Sequence, residues 1–184
     1  VLSGDQRDGI QRGLLDRMAS IGMLEGSEEG GVDEIPSPEQ MVEQVHRIRG
    51  GALFALAFAA PEVLEEGEMA EKMAAAEVAV AQLGTAFQIV DDLTDFEFDV
   101  GRRTHNLLTS QIHHHGSDDE RAALDALWAG ETPEEGVVET TFRESARAVM
   151  EIAYAEARAS FAGLQSLGHW FDPALADEVV RAIV

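Results

Sequence analysis

Residues 84–99, GTAFQIVDDLTDFEFD, place Asp91, Asp92 and Asp95 close together inside an apolar run. On a helix, positions 84, 88, 91 and 95 share one face, because helical neighbours recur every three or four residues. That face reads Gly84, Gln88, Asp91, Asp95: a small residue, an amide and two carboxylates where a stable helix would bury carbon. Carboxylates this close repel one another unless a cation neutralises them. Oxygen-only ligands suit a hard ion. Mg²⁺ uses one or two carboxylates and takes its other ligands from phosphates and water. The chemistry expected is therefore Mg²⁺ with a diphosphate, held by Asp91, Asp92 and Asp95. A solvated acidic helix end would show the same three acids. Against it, Phe87, Ile89, Val90, Leu93 and Phe96 imply burial around them. A calcium loop would alternate as D-x-D-x-D-G, which this segment does not.

The run Phe87-Gln88-Ile89-Val90-Asp91-Asp92-Leu93-Thr94-Asp95 resembles the second aspartate-rich motif of the trans-isoprenyl diphosphate synthases, the polyprenyl synthetase family. The resemblance implies an all-α fold, an isoprenoid-synthase-type helical bundle. It implies a Mg²⁺-dependent prenyltransferase that joins an allylic diphosphate to isopentenyl diphosphate. Mg²⁺ then bridges the diphosphate to two aspartate-rich motifs on facing helices. The metal and nearby arginines stabilise the departing diphosphate, and a dry apolar pocket protects the allylic cation from water. Carried onto this chain, the resemblance makes Asp91 the principal catalytic metal ligand, with Asp92 and Asp95 supporting it. Phe87 and Gln88 would face the isoprenoid. Arg49 would stand in for a diphosphate-binding lysine, and Gly50 falls where the family has threonine. Arg102 or Arg103, after Gly101, would close over the diphosphate. A homodimer is implied as well.

The chain also departs from that pattern. Nothing in residues 1–83 reads DDxxD followed by paired arginines, the family's first motif. Thr104-His105-Asn106-Leu107-Leu108 replaces a basic segment. The expectation is a single domain, residues 1–184, forming the C-terminal portion of a prenyl synthase-like fold whose N-terminal helices are missing. Those helices would lie in a longer precursor or on another chain. Two further readings stay open. One is a non-catalytic subunit that partners an active synthase. The other is a different diphosphate-ionising terpenoid enzyme.

Gly50 and Gly51 carry a signal of their own. Two adjacent glycines within a helix cost about 1 kcal/mol each against alanine. Close approach of a neighbouring backbone or a ligand is the usual reason to keep them.

Charge sets the broader limits. Asp and Glu total 35 against 13 Lys and Arg, a formal −22, with Lys72 the single lysine. Nucleic acid and anionic membrane surfaces are excluded as partners on electrostatic grounds. High acidity with few lysines resembles the proteins of salt-loving archaea, where salt screens the self-repulsion. Cysteine is absent, which excludes disulfides, thiolate metal sites and a cysteine nucleophile. No apolar stretch approaches the length of a membrane span without a charge, so no span and a cytoplasmic location are expected.

The elements that must carry the motif read as helices. Residues 5–24 form the first, followed by a loop over 25–36. Ser37-Pro38-Glu39-Gln40 is a capping box, opening a helix to about Ala59. A long helix near 67–98 carries the aspartates. Ser117 caps a helix to about Ala129, Thr132-Pro133 opens a long one to about Leu167, and Asp172-Pro173 starts the last. His113, His114 and His115 point three ways on a helix and read as a polar end before Gly116. Met18, Met23, Met69 and Met73 read as packing, and His46 as carrying no signal.

Overall fold

The computed structural model describes residues 1–183, and every regular element in them is helical. In order these are α1 (Gly4–Ser27), α2 (Pro38–Met41), a π-helical stretch (Val42–Gly51), α3 (Ala52–Ala55) and a 3₁₀ turn (Leu56–Phe58). Then come α4 (Pro61–Leu64), α5 (Gly67–Thr94), α6 (Phe96–Arg102), α7 (Leu107–His115) and α8 (Asp118–Trp128). Last are α9 (Val137–Thr140), α10 (Arg143–Ser166) and α11 (Pro173–Ile183). The all-α expectation holds.

α5 is the axis of the bundle. α10 runs antiparallel along one side of it, meeting it at Ala79–Gly163, near Ala86–Ala157, and at the Phe96–Phe142 corner. Small residues at the first two levels let the backbones come close, and the aromatic pair closes the third edge-to-face at 5.2 Å. The main core gathers there: Ile89, Phe96, Leu107, Ile112, Leu124 and Val149 are all buried. α5 is also long and apolar enough, by composition alone, to cross a membrane. Here it lies between α10 and the π-helical stretch as the central helix of the bundle.

The π-helical stretch crosses the other side of α5. A β-carbon on Gly50 would collide with the carbonyl oxygen of Gly84, and one on Gly84 would collide with that of Gly50. The paired glycines are thus explained by backbone meeting backbone. Overpacking such a contact costs about 1–3 kcal/mol. Gly84→Ala should therefore lower the unfolding free energy from urea titration by an amount in that range, and an unchanged value would mean that the crossing yields freely. Wide π-helical turns are uncommon and recur at functional sites. This one delivers both His46 and Arg49 toward the aspartates of α5.

Several local expectations hold. Ser37 and Ser117 each close a capping box, with Gln40 and Glu120, and Ser3 closes a third, unforeseen one with Gln6. Asp172 accepts from the backbone N–H groups of Ala174 and Leu175 at the start of α11. Others are corrected. The long aspartate helix breaks at Asp95, and α6 restarts at once. Thr132-Pro133 opens no helix. Gly136 sits at φ 74° ahead of short α9, and the long helix begins only after Phe142, which is buried against Phe96. Met18, Met23 and Met69 are exposed at 59%, 76% and 47%. α1 buries none of its residues, because among the described residues it touches the bundle along one narrow side, where Gly9 meets Val63 and Gly13 meets Ala59.

Candidate functional site

The last turn of α5 turns its aspartates in different directions. Asp91 and Asp95 face outward with Gln88 and Phe87, while Asp92 points into the bundle. Successive residues on a helix are separated by about 100°. Asp91 and Asp95, one turn apart, therefore share a face that Asp92 leaves.

Gln88 Nε2 donates to Asp91 Oδ2 at 3.1 Å and fixes its orientation. Partial burial raises the Asp91 pKa above the usual carboxylate value, and the charges of Asp95 and Asp92 add to the rise. The Gln88 hydrogen bond and the Arg49 charge work the other way. Asp95 ends α5 and starts α6, and its side chain caps neither helix. Phe87 is exposed and packs its ring 5.4 Å from that of Phe54 across the Gly50–Gly84 crossing. The surface thus joins two unneutralised carboxylates to an aromatic pair. Among the described residues no three His, Asp or Glu side chains converge into a preformed cation site. Of the three expected ligands, Asp91 and Asp95 alone turn outward. That fits Mg²⁺, which needs few protein carboxylates when phosphate oxygens complete its shell.

Asp92 is a correction to the expected ligand set. It is 2% exposed, and its Oδ2 accepts from His46 Nε2 at 2.8 Å and from the Leu107 N–H at 2.5 Å. His46, expected to carry no signal, is fully buried, with Nδ1 3.0 Å from the Met41 carbonyl oxygen. Both ring nitrogens face acceptors, so both must donate, and the imidazolium form fits the site. Burial alone would depress the imidazolium. The Asp92 carboxylate, its hydrogen bond and the Met41 carbonyl outweigh that and raise the His46 pKa. A raised folded-state pKa adds stability that is complete below the unfolded value, about 6.5, and is lost as pH rises through the folded value. Unfolding titrations should show this alkaline loss in the wild type. His46→Gln should flatten it, and an identical slope in both proteins would contradict the assignment.

The segment 104–108, which replaces the family's basic stretch, is a clasp. Asn106 Oδ1 caps α7 through the Leu108 and Thr109 N–H groups. Its Nδ2 donates to the Asp92 carbonyl and to Asp99 Oδ2. His105 gives its backbone N–H to Glu28 Oε2 and places Nδ1 2.7 Å from Glu28 Oε1. Glu28, at the end of α1, is buried and also accepts from Arg49. Burial would raise Glu28, but the His105 hydrogen bond and the Arg49 charge prevail and hold it below the usual glutamate value.

The expected cationic ligands are therefore largely engaged elsewhere. Arg49 lies near enough to Asp91 to act on its charge, yet its guanidinium is held by Glu28 at 2.7 Å and by Glu25 at 2.5 Å. Two glutamates that the sequence left in a loop have claimed it. Arg103 turns away from the aspartates: its backbone is left-handed at φ 56°, and its guanidinium lies over the Trp128 ring and donates to the Trp128 carbonyl. Arg102 is exposed above the Phe98 ring at 4.7 Å. Of the predicted residues, the structure gathers Phe87, Gln88, Asp91 and Asp95 on one surface, with Arg49 at its edge. It assigns Asp92 to the core. Sequence reasoning missed His46, Glu28, His105 and Asn106. Only Asn106 left a readable trace, as a helix cap ahead of an apolar run.

The comparisons with known proteins agree with this frame. No curated protein matches the sequence. The structure is similar to the crystal structure of a polyprenyl synthase, ISP_B, from Roseobacter denitrificans, with a TM-score of 0.66 and 23% identity. The match covers 94% of this chain and 63% of that one, so the shared fold spans less than two thirds of the longer protein. Residues 23–135, which include Arg49, the aspartate face and the clasp, match the sequence profile described as Polyprenyl synthetase. The chain belongs to the polyprenyl synthetase family.

Proposed function

We propose that this chain supplies one half of a Mg²⁺-dependent prenyltransferase site, which condenses an allylic diphosphate with isopentenyl diphosphate into a longer isoprenoid diphosphate. The observation that carries the reading is the Gln88–Asp91–Asp95 face beside the Phe54–Phe87 pair. Bound there, Mg²⁺ would neutralise the diphosphate and ease its departure. The chain's own groups divide the remaining work. Asp91 and Asp95 hold the cation, and Gln88 sets the angle of Asp91. Phe54 and Phe87 offer the apolar wall that a prenyl chain needs. Arg49 meets the diphosphate only in exchange for Glu28.

Leu15, Met18, Val78 and Phe87 are exposed apolar residues on α1 and α5. Exposed apolar surface of this kind is characteristic of faces that further polypeptide covers. The proposal includes that cover: additional helices of a longer chain, or a second subunit, bringing the opposing carboxylates. With that cover in place, the protein, given Mg²⁺, isopentenyl diphosphate and an allylic primer, should release pyrophosphate and form a longer prenyl diphosphate. EDTA should stop both. One observation favours a second reading, a subunit that binds but does not turn over: Arg49 is already neutralised by Glu25 and Glu28. Metal-dependent diphosphate binding without product would select that reading.

The net charge of −22 adds a condition. Raising salt from about 0.1 M to 1 M shortens the screening length from about 10 Å to 3 Å. The melting temperature should therefore climb steeply over that range. A flat response would contradict the halophilic reading.

A further inference from the structure

A second cavity, of about 120 Å³, lies on the other side of the clasp from the aspartate face. Val32, Ile35, Pro36, Met41 and Val100 give it apolar walls. Arg103, Thr109 and Trp128 give it polar ones. Two of these polar groups lack partners. Thr109 is 7% exposed and its Oγ1 makes no hydrogen bond. The Trp128 indole Nε1 is buried and makes none either. Buried polar groups in folded proteins are almost always paired, so an unpaired one on a cavity wall marks a place for a ligand or an ordered water.

The chemistry of the wall narrows the choice. The indole N–H can only donate, the guanidinium can only donate, and the threonine hydroxyl can do either. Arg103 is held in place at the cavity. Its carbonyl accepts from the Val32 N–H at 2.8 Å, and its guanidinium lies 5.7 Å from the centre of the Trp128 ring. Gly31 presses against this segment so closely that a β-carbon there would lie 3.2 Å from the Arg102 carbonyl oxygen and 3.3 Å from the Arg103 Cβ. Three side chains that can donate, Arg103, Thr109 and Trp128, therefore line the same carbon-walled space. Exposed Asp33 also lines it, and that charge opposes a polyanion such as a diphosphate. An apolar cavity of about 150 Å³ accommodates benzene, so this smaller one takes a guest smaller than benzene.

We propose that this cavity is a binding site for a small organic monoanion, a short hydrocarbon body smaller than benzene bearing one carboxylate or similar acceptor group. The acceptor meets Trp128 Nε1, Thr109 Oγ1 and Arg103, and the body fills the space between Val32, Pro36, Met41 and Val100. The site is separate from the aspartate face and stands whether or not the prenyl transfer does.

The test uses Trp170→Phe protein, because Trp170 is exposed and its removal leaves Trp128 as the sole indole. Propionate is the probe, and the Trp128 indole N–H resonance is the readout. A saturable shift should appear with propionate at millimolar concentration, with an affinity at least roughly tenfold above that of propylammonium. Thr109→Val, which keeps the shape and removes the hydroxyl, should weaken it by about tenfold, as should Arg103→Gln on the exposed rim. No saturable shift up to about 10 mM would mean that water alone fills the cavity and would overturn the proposal. Equal affinity for propylammonium would overturn it, as would affinity unchanged in both variants. If Thr109→Val fails to fold, the Arg103→Gln result decides.

Discussion

Asp91→Asn should abolish Mg²⁺-dependent diphosphate binding and yet yield a metal-free protein that is slightly harder to unfold. The two effects share one cause. Burial and the neighbouring carboxylates raise the Asp91 pKa, so the folded chain resists its charge. Neutralising one of two like charges a turn apart relieves roughly 0.2–0.5 kcal/mol. The sign follows from linkage. A carboxylate with a raised folded-state pKa favours folding below its unfolded pKa and loses that contribution as pH rises through the folded value. At neutral pH the charged Asp91 is therefore a liability in the absence of a cation. With Mg²⁺ and diphosphate present it becomes the ligand. Losing one preorganised charge-stabilising group of this kind costs about 100- to 1,000-fold in rate. Asp95→Asn should behave in the same way. Thermal unfolding in EDTA and in Mg²⁺ with pyrophosphate would show the crossover directly. A variant less stable in both conditions would assign Asp91 a structural role.

Asp92→Ala should give the opposite pattern, a large loss of stability whatever the metal. The carboxylate serves His46 and the Leu107 N–H inside the bundle, with the clasp residue Asn106 bound to the Asp92 carbonyl beside it. Removing one partner of a buried ion pair leaves the other charge uncompensated, at a cost of about 3–5 kcal/mol. Typical domains are stable by only about 5–15 kcal/mol in total, so the variant should sit near the edge of folding. His46→Ala should cost a similar amount, and the double variant much less than the sum, because the two residues act as one unit. Denaturant titrations of the three proteins form a double-mutant cycle. Additive losses would mean that the pair is not coupled.

These two neighbouring aspartates show where the sequence was legible. Helical spacing alone put Gly84, Gln88, Asp91 and Asp95 on one face, and that face is the one observed. The same spacing turns Asp92 about 100° away from Asp91. Its assignment as a ligand rested on the clustering of the acids and on resemblance, and the geometry instead places its carboxylate against His46 and the Leu107 N–H. The capping boxes at Ser37 and Ser117 were legible because the signal is local. The glycine pair announced a close approach but not its partner, since Gly84 lies more than thirty positions further along the chain. Glu28, His105 and Arg49 were not legible together. Nothing within a few residues of any of them marks a buried ion cluster, and only the folding of α1 against the clasp brings them into contact. The core reading of Met18 and Met23 failed for a related reason. Apolar spacing predicts a face that can be buried, and among the described residues nothing buries that one.

The most direct test of the central claim is a calorimetric titration of the full chain with inorganic pyrophosphate, with and without Mg²⁺. The account predicts saturable binding only when Mg²⁺ is present, and its loss in Asp91→Asn protein shown by circular dichroism to be folded. Binding of equal strength in EDTA, or binding that survives in Asp91→Asn, would contradict it, because the diphosphate would then be held without the aspartate face.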